Sequence, residues 1–113
     1  MKTRELKDAP KLTPVPGVEI RILGSGENAT FCHIIVQPGS KIDTHGHHNE
    51  QIGTCLSGSG ELVCQDKKVQ VVPGKCWTIL ANQLHSFVAT GEEPAILVEA
   101  FSPPREDYLQ MAK

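Results

Sequence analysis

Turn-forming residues recur at close intervals along the chain, and this spacing constrains the fold more than any other feature. Clusters such as LGSGEN, SGSG and TGEEP separate short runs rich in β-branched and apolar residues, among them FCHIIV and AILVEAF. Such spacing predicts many short antiparallel strands arranged as a sandwich or a barrel. The segment REDYLQMAK at the end of the chain is the one that suits a helix, so the fold is expected to be all-β with a short C-terminal helix.

The length of 113 residues predicts a single domain spanning 1–113. Three prolines near the start favour an extended N-terminal segment over 1–17, followed by a barrel over about 18–101 and a tail over 102–113. A domain of this size buries only about two-thirds of its unfolded surface. We therefore expect a homodimer, in which the N-terminal segment adds a strand to the partner's sheet.

Charge and composition exclude several classes of partner. The formal net charge is −2 and no basic patch stands out, so no nucleic-acid partner is expected. The N-terminus has no signal-like apolar region, and no segment approaches the roughly 20 apolar residues of a membrane span. The four cysteines form no C-x-x-C pair and sit in strand-like contexts, which predicts buried free thiols and a cytoplasmic location.

The segment THGHHNEQ, residues 44–51, holds three of the five histidines in the chain. If this segment is extended, His45, His47 and Gln51 share one face, because strand side chains alternate. His85, expected at the start of a later strand, is the best candidate for a fourth ligand. Imidazole suits Zn, Cu, Fe and Ni, and an amide oxygen is a weaker neutral donor, so these residues predict a metal site. His33 and His48 are interpreted instead as exposed or hydrogen-bonded residues.

The spacing of these residues resembles the first cupin motif, G-x5-H-x-H-x3-E-x6-G, from Gly39 to Gly58. Gly74 and His85 resemble the second motif, G-x5-P-x-G-x2-H-x3-N. Gln51 stands where most cupins have Glu. The second motif keeps its spacing and its histidine, while its Pro, Gly and closing Asn are replaced by Leu80, Asn82 and Ala89. Asn82 can still adopt a positive φ and so preserve the turn.

The cupin resemblance implies a double-stranded β-helix, or jelly-roll barrel, with a metal ion inside its mouth. It places His45, His47, Gln51 and His85 at the four ligand positions of the family. Gly53 would leave room for a ligand in this arrangement. The aromatic side chains Trp77 and Phe31 are expected to be barrel core, together with Ile79.

Glu99 interrupts the apolar run AILVEAF and is the second unusual feature. Glutamates are almost never fully buried unless they are paired. If Leu97, Glu99 and Phe101 face inward, desolvation raises the pKa of Glu99 and the carboxyl can exchange a proton near neutral pH. Arg105 would then pair with Glu99 or clamp a substrate carboxylate. The alternative is that Glu99 faces solvent on an edge strand and Arg105 lies on the surface.

The segments EQIGTCLSG and EAFSPPRED resemble those of cupins from pectin and alginate degradation, which convert 4,5-unsaturated monouronates into linear keto sugars. That subgroup uses three His and one Gln as ligands. It also carries an acid, a Phe and an Arg at this spacing, usually with Asp at the position of Glu99. The resemblance implies that Glu99 and Arg105 are catalytic and that Phe101 and Arg105 bind substrate.

The ligand set favours one kind of chemistry. Three imidazoles and an amide are neutral, which suits Lewis-acid catalysis by a divalent ion better than Fe(II)/Fe(III) cycling. The ligands do not distinguish Zn, Ni, Fe, Mn or Co. The expected partner is a small anionic sugar or other organic acid. Two alternatives stay open, namely a cupin metal dioxygenase and a non-catalytic cupin that binds a small ligand, so the sequence leaves open whether the protein is an enzyme.

Overall fold

Ten β-strands and one short helix account for most of the chain, and the computed structural model describes all residues from 1 to 113. A 3-10 helix covers Leu6–Asp8. The strands are β1 Lys11–Val15, β2 Val18–Ser25, β3 Thr30–Val36, β4 Lys41–His45, β5 Glu50–Ser57, β6 Gly60–Cys64, β7 Lys67–Val71, β8 Cys76–Ile79, β9 His85–Ala89 and β10 Ala95–Ser102, and helix α1 is Glu106–Met111. None of the helices is long and apolar enough to cross a membrane.

The strands form two antiparallel sheets. The larger has the order β1-β2-β3-β10-β5-β8, and the smaller has the order β4-β9-β6-β7. Neighbouring strands are often distant in the chain, as expected for a jelly roll. The predicted all-β fold with a short C-terminal helix is confirmed. Strand β1 pairs with β2 of its own chain, so the N-terminal segment begins the larger sheet at its edge.

Alternating burial places one face of each sheet in the interior. In β10, the residues Ala95, Leu97, Glu99 and Phe101 are buried, and those between them are more exposed. This pattern of period two is typical of a strand with one face in a core. The core consists of apolar side chains from both sheets: Leu12, Val18, Ile20, Ile22, Cys32, Ile34, Val36, Cys55, Leu62, Val71, Ile79, Phe87, Ala89, Ala95, Leu97 and Phe101.

Two expectations about the core were wrong. Phe31 lies on the outer face of the larger sheet and is 44% exposed, because it is one residue out of phase with the buried Cys32. The four cysteines are free, as predicted, but only Cys32 and Cys55 are buried. Cys76 is exposed because β8 turns Trp77, and not Cys76, towards the interior.

Candidate metal centre

His45, His47, Gln51 and His85 reach one end of the barrel interior from separate segments. His45 ends β4, His85 begins β9, and the two are register partners in the smaller sheet. Gln51 follows the first residue of β5 in the larger sheet. The prediction of one extended segment over 45–51 was wrong, since 46–49 is a loop that carries the chain from one sheet to the other. The convergence therefore arises from the meeting of two sheets.

The three imidazole rings are close neighbours. Ring centroids are 4.4 Å apart for His45 and His85, 5.1 Å for His47 and His85, and 5.5 Å for His45 and His47. One nitrogen from each ring can be chosen so that all three atoms lie within 4.8 Å of one another. Gln51 joins them, with its Oε1 at 3.1 Å from Nε2 of His47. The structure thus brings together all four predicted ligands.

Backbone carbonyl groups fix the tautomer of each ring. The Nδ1 atoms of the three histidines lie 2.8, 3.1 and 2.8 Å from the carbonyl oxygens of Asp43, Asn49 and Gln83. A carbonyl oxygen only accepts, so each Nδ1 carries the proton and donates it. In a neutral imidazole the Nε2 atom then holds a lone pair. Metal-binding histidines are commonly oriented in this way, by a hydrogen bond from the ring nitrogen that does not bind the ion.

The Gln51 amide adds a fourth lone pair to this group. Its Nε2 donates a hydrogen bond to Oε2 of Glu99, so its oxygen is the end that faces His47. Oε1 and the Nε2 of His47 are then two acceptors facing each other with no proton between them. His85 Nε2 is buried and has no hydrogen-bond partner. A cation satisfies all of these atoms, and three imidazoles with an amide oxygen fit a divalent transition metal ion.

The electrostatics of the site favour the neutral form of two of the imidazoles, His47 and His85. Burial, followed by the positive charges of Arg105 and of a protonated His85, lowers the pKa of His47 to about 4, although the hydrogen bond to the Asn49 carbonyl opposes the shift. Burial also lowers the pKa of His85, although its hydrogen bond to the Gln83 carbonyl opposes the effect. Neutral imidazole is the form that binds a metal ion. Protons therefore compete weakly for this site at neutral pH.

Glu99 points into the interior and is 4% exposed, so the inward interpretation is correct. Desolvation raises its pKa, and hydrogen bonds from Trp77 and Gln51 partly offset that rise. Both bonds fall on Oε2, with Trp77 Nε1 donating over 2.8 Å. Oε1 receives no hydrogen bond from the protein, which leaves one carboxyl oxygen available to a ligand.

Arg105 is also buried, at 5% exposed, but it does not form the ion pair with Glu99 that was one of its predicted roles. Its Nε and Nη2 donate to the two carboxylate oxygens of Asp107 over 3.0 and 2.9 Å. The guanidinium stacks on the rings of Tyr108, at 3.6 Å, and Phe101, at 4.7 Å. Nη1 is buried without a partner. These contacts hold the guanidinium group of Arg105 at the cavity and leave its Nη1 free to donate to a ligand.

Asn49, Trp77 and Tyr108 belong to the site, although the sequence analysis did not assign them to it. Asn49 is 2% exposed and donates to the carbonyls of Pro103 and Pro104 over 2.5 and 3.2 Å. The backbone carbonyl of Asn49 accepts the Nδ1 proton of His47. Asn49 therefore links the loop 46–49, which we call the metal loop, to the turn before Arg105. A polar residue between His48 and Glu50 gave no signal of burial, because both neighbours are exposed.

Gly53 does not leave room for a ligand, contrary to the expectation. The space above it is filled by the side chains of Glu99 and Trp77. The cavity that remains has a volume of about 30 Å³ and is lined on its polar side by His45, Gln51, Trp77, His85, Glu99 and Arg105. That volume holds about two water molecules. Only one small group of a larger ligand fits beside these residues.

The two histidines outside the cluster follow the expectation in part. His48 is exposed. His33 lies on the outer face of β3, opposite Arg21 and Val98, and is half-buried with its Nδ1 unpartnered. Neither residue contributes to the centre.

Comparison with known proteins identifies relatives of this chain. The chain is 27% identical over 94 residues to the pectin degradation protein KdgF of Dickeya dadantii (strain 3937), which covers 82% of this chain and 84% of that protein. It is also 27% identical over 112 residues to H2HPP isomerase of Bacillus subtilis. That match covers 99% of this chain but 44% of the relative, so the chain spans less than half the length of that protein.

Solved structures show the same fold. KdgF from Halomonas sp. has a TM-score of 0.86 at 21% identity, covering 94% of this chain and 98% of that one. An RmlC-like cupin from Shewanella frigidimarina NCIMB 400 has a TM-score of 0.86 at 18% identity, covering 96% of each chain. The predicted similarity to pectin-degradation cupins is confirmed. Residues 32–101 match the family described as Cupin domain, and the chain belongs to that family.

Proposed function

We propose that the chain is a divalent-metal-dependent enzyme that converts an unsaturated uronate sugar to a linear keto sugar. The observation that carries this proposal is the set of four converging lone pairs beside a buried carboxyl and a buried guanidinium. The similarity to proteins named for pectin degradation supports the choice of substrate. His45, His47, Gln51 and His85 are the proposed ligands. When bound there, a divalent ion of Zn, Ni, Fe, Mn or Co would polarise an oxygen of the substrate.

Glu99 is the proposed proton carrier in this reaction. Its raised pKa suits a group that takes and returns a proton near neutral pH. Oε2 is held by Trp77 and Gln51, so Oε1 is the atom that exchanges the proton. The buried position excludes bulk water from the carboxyl.

Arg105 and Phe101 are the proposed substrate-binding groups. Nε and Nη2 of Arg105 donate to Asp107, so Nη1 is the guanidinium nitrogen that has no protein partner. It can donate a charge-assisted hydrogen bond to an anionic group. Phe101 forms the apolar wall beside His47, with the rings 5.8 Å apart. Because the cavity is small, the anionic or metal-binding end of the sugar enters and the rest stays at the mouth.

The substitution Glu99→Gln tests this proposal. The amide keeps the size and the hydrogen-bond acceptor but carries no exchangeable acid proton, so turnover of 4,5-unsaturated galacturonate should fall by about 10²–10⁴-fold. The assay follows the loss of ultraviolet absorbance from the ring double bond. Elemental analysis should show the same metal content in the native and Glu99→Gln chains. Full activity in the variant would contradict the role of Glu99.

An isomerase reaction is the second candidate. It is supported by the match to H2HPP isomerase, which extends over 99% of this chain. The same proton carrier serves an isomerisation, since both reactions move a proton. Assays of the native chain with 4,5-unsaturated galacturonate and with H2HPP distinguish the two reactions. Oxygen uptake with either substrate would instead favour a dioxygenase, and metal-dependent sugar binding without turnover would favour a binding protein.

We further propose that the protein is a cytoplasmic homodimer. The free thiols agree with a reducing compartment. Strand β1 pairs with β2 of its own chain, so we do not place the interface at a β1 strand added to the partner's sheet. We place it on the outer face of the larger sheet, where Phe31, Ile52 and Leu56 are 44%, 54% and 55% exposed. Phe31 and Ile52 flank Ala100 in register, so the three residues form one apolar patch, with the exposed Glu50 beside it on the same face. A second copy packing face to face suits such a patch better than a charged partner does.

Sedimentation velocity tests the dimer. The native chain should sediment as a dimer and Ile52→Lys as a monomer, because the lysine would be desolvated in the interface. Val72→Lys is the control, since Val72 is 52% exposed but lies in the turn after β7. A monomeric native chain would contradict the proposal.

A further inference from the structure

We propose that Trp77, Gly53 and Glu99 form a positioning device that fixes which end of the Gln51 amide faces the three histidines. This inference rests on the proposed metal centre. The three residues lie in one row across the larger sheet, since Gly53 is the register partner of Glu99 on one side and of Trp77 on the other. Gln51 is two residues before Gly53 and points to the same interior face. None of the three has to touch the ion to influence it.

A glutamine side chain can face a metal ion with either its oxygen or its nitrogen, whereas a glutamate side chain always presents an oxygen. Rotation of its amide by 180° exchanges oxygen and nitrogen with almost no change in shape. Only the oxygen offers a lone pair to a cation, whereas a carboxylate offers an oxygen either way. Gln51 therefore needs a neighbour that selects one orientation. Glu99 is that neighbour, because its Oε2, which also accepts from Trp77, carries no proton to donate, and the Gln51 nitrogen is the end that can donate to it.

Trp77 fixes Glu99 in turn. The indole Nε1–H is a donor without acceptor capacity, and it lies 2.8 Å from the same Oε2 that accepts from Gln51. Trp77 thus holds the carboxyl oxygen at the place where it meets the amide nitrogen. The order of influence runs from Trp77 through Glu99 to Gln51, and its last member presents Oε1 to His47 at 3.1 Å.

Gly53 makes this contact possible. A Cβ at that position would lie 2.7 Å from Cγ of Glu99, 2.8 Å from the Val98 carbonyl oxygen and 3.0 Å from Nε1 of Trp77. The first two distances are too short for carbon, and the backbone oxygen cannot move without distorting β10. Glycine between the two side chains lets them meet above the strand. The residue thus has a role in the metal centre although it lines no open space.

Cobalt(II) affinity of the chelator-treated protein, measured by calorimetry, tests the inference. Removal of outer-shell partners typically weakens metal binding by 10–100-fold. We expect about tenfold weaker binding for Trp77→Phe, which keeps an aromatic ring but loses the donor. Gly53→Ala should weaken binding by about 10–100-fold. Glu99→Gln should bind within about threefold of the native chain, because its amide oxygen still accepts from Trp77 and Gln51.

Thr54→Val is the matched control. Thr54 donates to the Lys75 carbonyl over 2.9 Å and pairs with Cys76, so it belongs to the same two strands but not to the interior row. Its cobalt affinity should equal that of the native chain. Thermal unfolding of each metal-free variant shows whether the chain is folded at the temperature of the titration.

A double-mutant cycle separates positioning from general packing. If Trp77 acts through Gln51, then Trp77→Phe should change the cobalt affinity of the Gln51→Ala chain by less than about twofold. An equal loss with and without Gln51, or native affinity in Trp77→Phe, would overturn this inference alone. Failure of the native chain to bind cobalt would overturn the proposed metal centre and this inference with it.

Discussion

Strand β10 passes from one kind of interior to another. Its first two inward residues, Ala95 and Leu97, pair with Val36 and Ile34 of β3 and belong to the apolar core. Its next inward residue, Glu99, lies among hydrogen bonds to Trp77 and Gln51. Strand β9 shows the same change, from the buried Ala89 and Phe87 to His85. We refer to these two regions as the apolar end and the polar end of the interior.

The two ends differ in how well their polar atoms are satisfied. Two of the three buried side-chain atoms without a partner, Nε2 of His85 and Nη1 of Arg105, lie at the polar end. A buried polar atom without a partner costs free energy in the folded protein. The apolar end therefore stabilises the fold, while the polar end keeps binding groups that a cation and an anionic ligand can satisfy. Substitutions at the two ends should accordingly have separable effects.

The largest effect is expected at the polar end from His85→Ala. Loss of a direct ligand should weaken cobalt(II) binding by more than the roughly 100-fold that marks the upper range for outer-shell changes. The metal-free chain should still be folded at the temperature of the titration, although it should melt at a lower temperature, because the buried ring also loses the hydrogen bond from its Nδ1 to the Gln83 carbonyl. His33→Ala is the control, since His33 lies on the outer face of β3. Native cobalt affinity in His85→Ala would contradict the assignment of metal binding to the polar end.

Leu12→Ala is the reciprocal change in the apolar core. Leu12 is 6% exposed and packs in the core cluster without lining the cavity of the metal centre, so the void left by the substitution should lower the free energy of unfolding by about 2–5 kcal/mol. Urea unfolding of the metal-free chain measures this loss. Cobalt affinity, titrated well below the melting temperature, should stay within about threefold of the native value. A large loss of affinity would show that the two ends are energetically coupled.

A smaller effect is expected from Asn49→Ala, which removes the link between the metal loop and the turn before Arg105. The His47 ring should become less well oriented, and cobalt affinity should fall by about tenfold. Ser102→Ala is the matched control, because Ser102 ends β10 just before the same turn and its Oγ donates to the Asn28 carbonyl over 2.7 Å and not to residues 46–49. Equal affinities in the two variants would contradict a specific role for Asn49.

The smallest effect is a pH dependence of the metal-free protein. The pKa of His47 is lowered from 6.5 to about 4, first by burial and then by the nearby positive charges, so the unfolded chain takes up a proton more readily than the folded one. Stability from this group is present above pH 6.5 and should decline as the pH falls towards 4. Urea midpoints across this range measure the decline, and His47→Gln should show a shallower one. Parallel curves for the two chains would contradict the shifted pKa.

Much of the fold followed from the sequence because its signals are local. Turn residues mark strand ends wherever they occur, and the short helix after the Pro-Pro pair begins within one residue of Arg105. Asn82 has a φ of 65°, as expected for a residue that replaces glycine in the second motif. The ligand set was predicted by motif spacing, even though 46–49 is a loop and the parity argument did not apply.

The connections around the ligands could not be predicted, since they depend on register between distant strands. Gln51 in place of Glu and Glu99 in place of Asp were noticed as separate departures, but the structure shows that the two side chains are hydrogen-bonded. Trp77 was expected in the core, but its ring is only partly buried against the core, and its N–H donates to Glu99. Arg105 pairs with Asp107, two residues away, because the first turn of α1 brings their side chains together.

Stoichiometric metal binding tests the central claim most directly. Chelator-treated protein should bind one cobalt(II) ion per chain in a calorimetric titration at neutral pH. The His45→Ala/His47→Ala chain should bind none at the same concentrations, because two of the four lone pairs are then missing. The absence of saturable binding by the native chain, or equal binding by the double variant, would contradict the account.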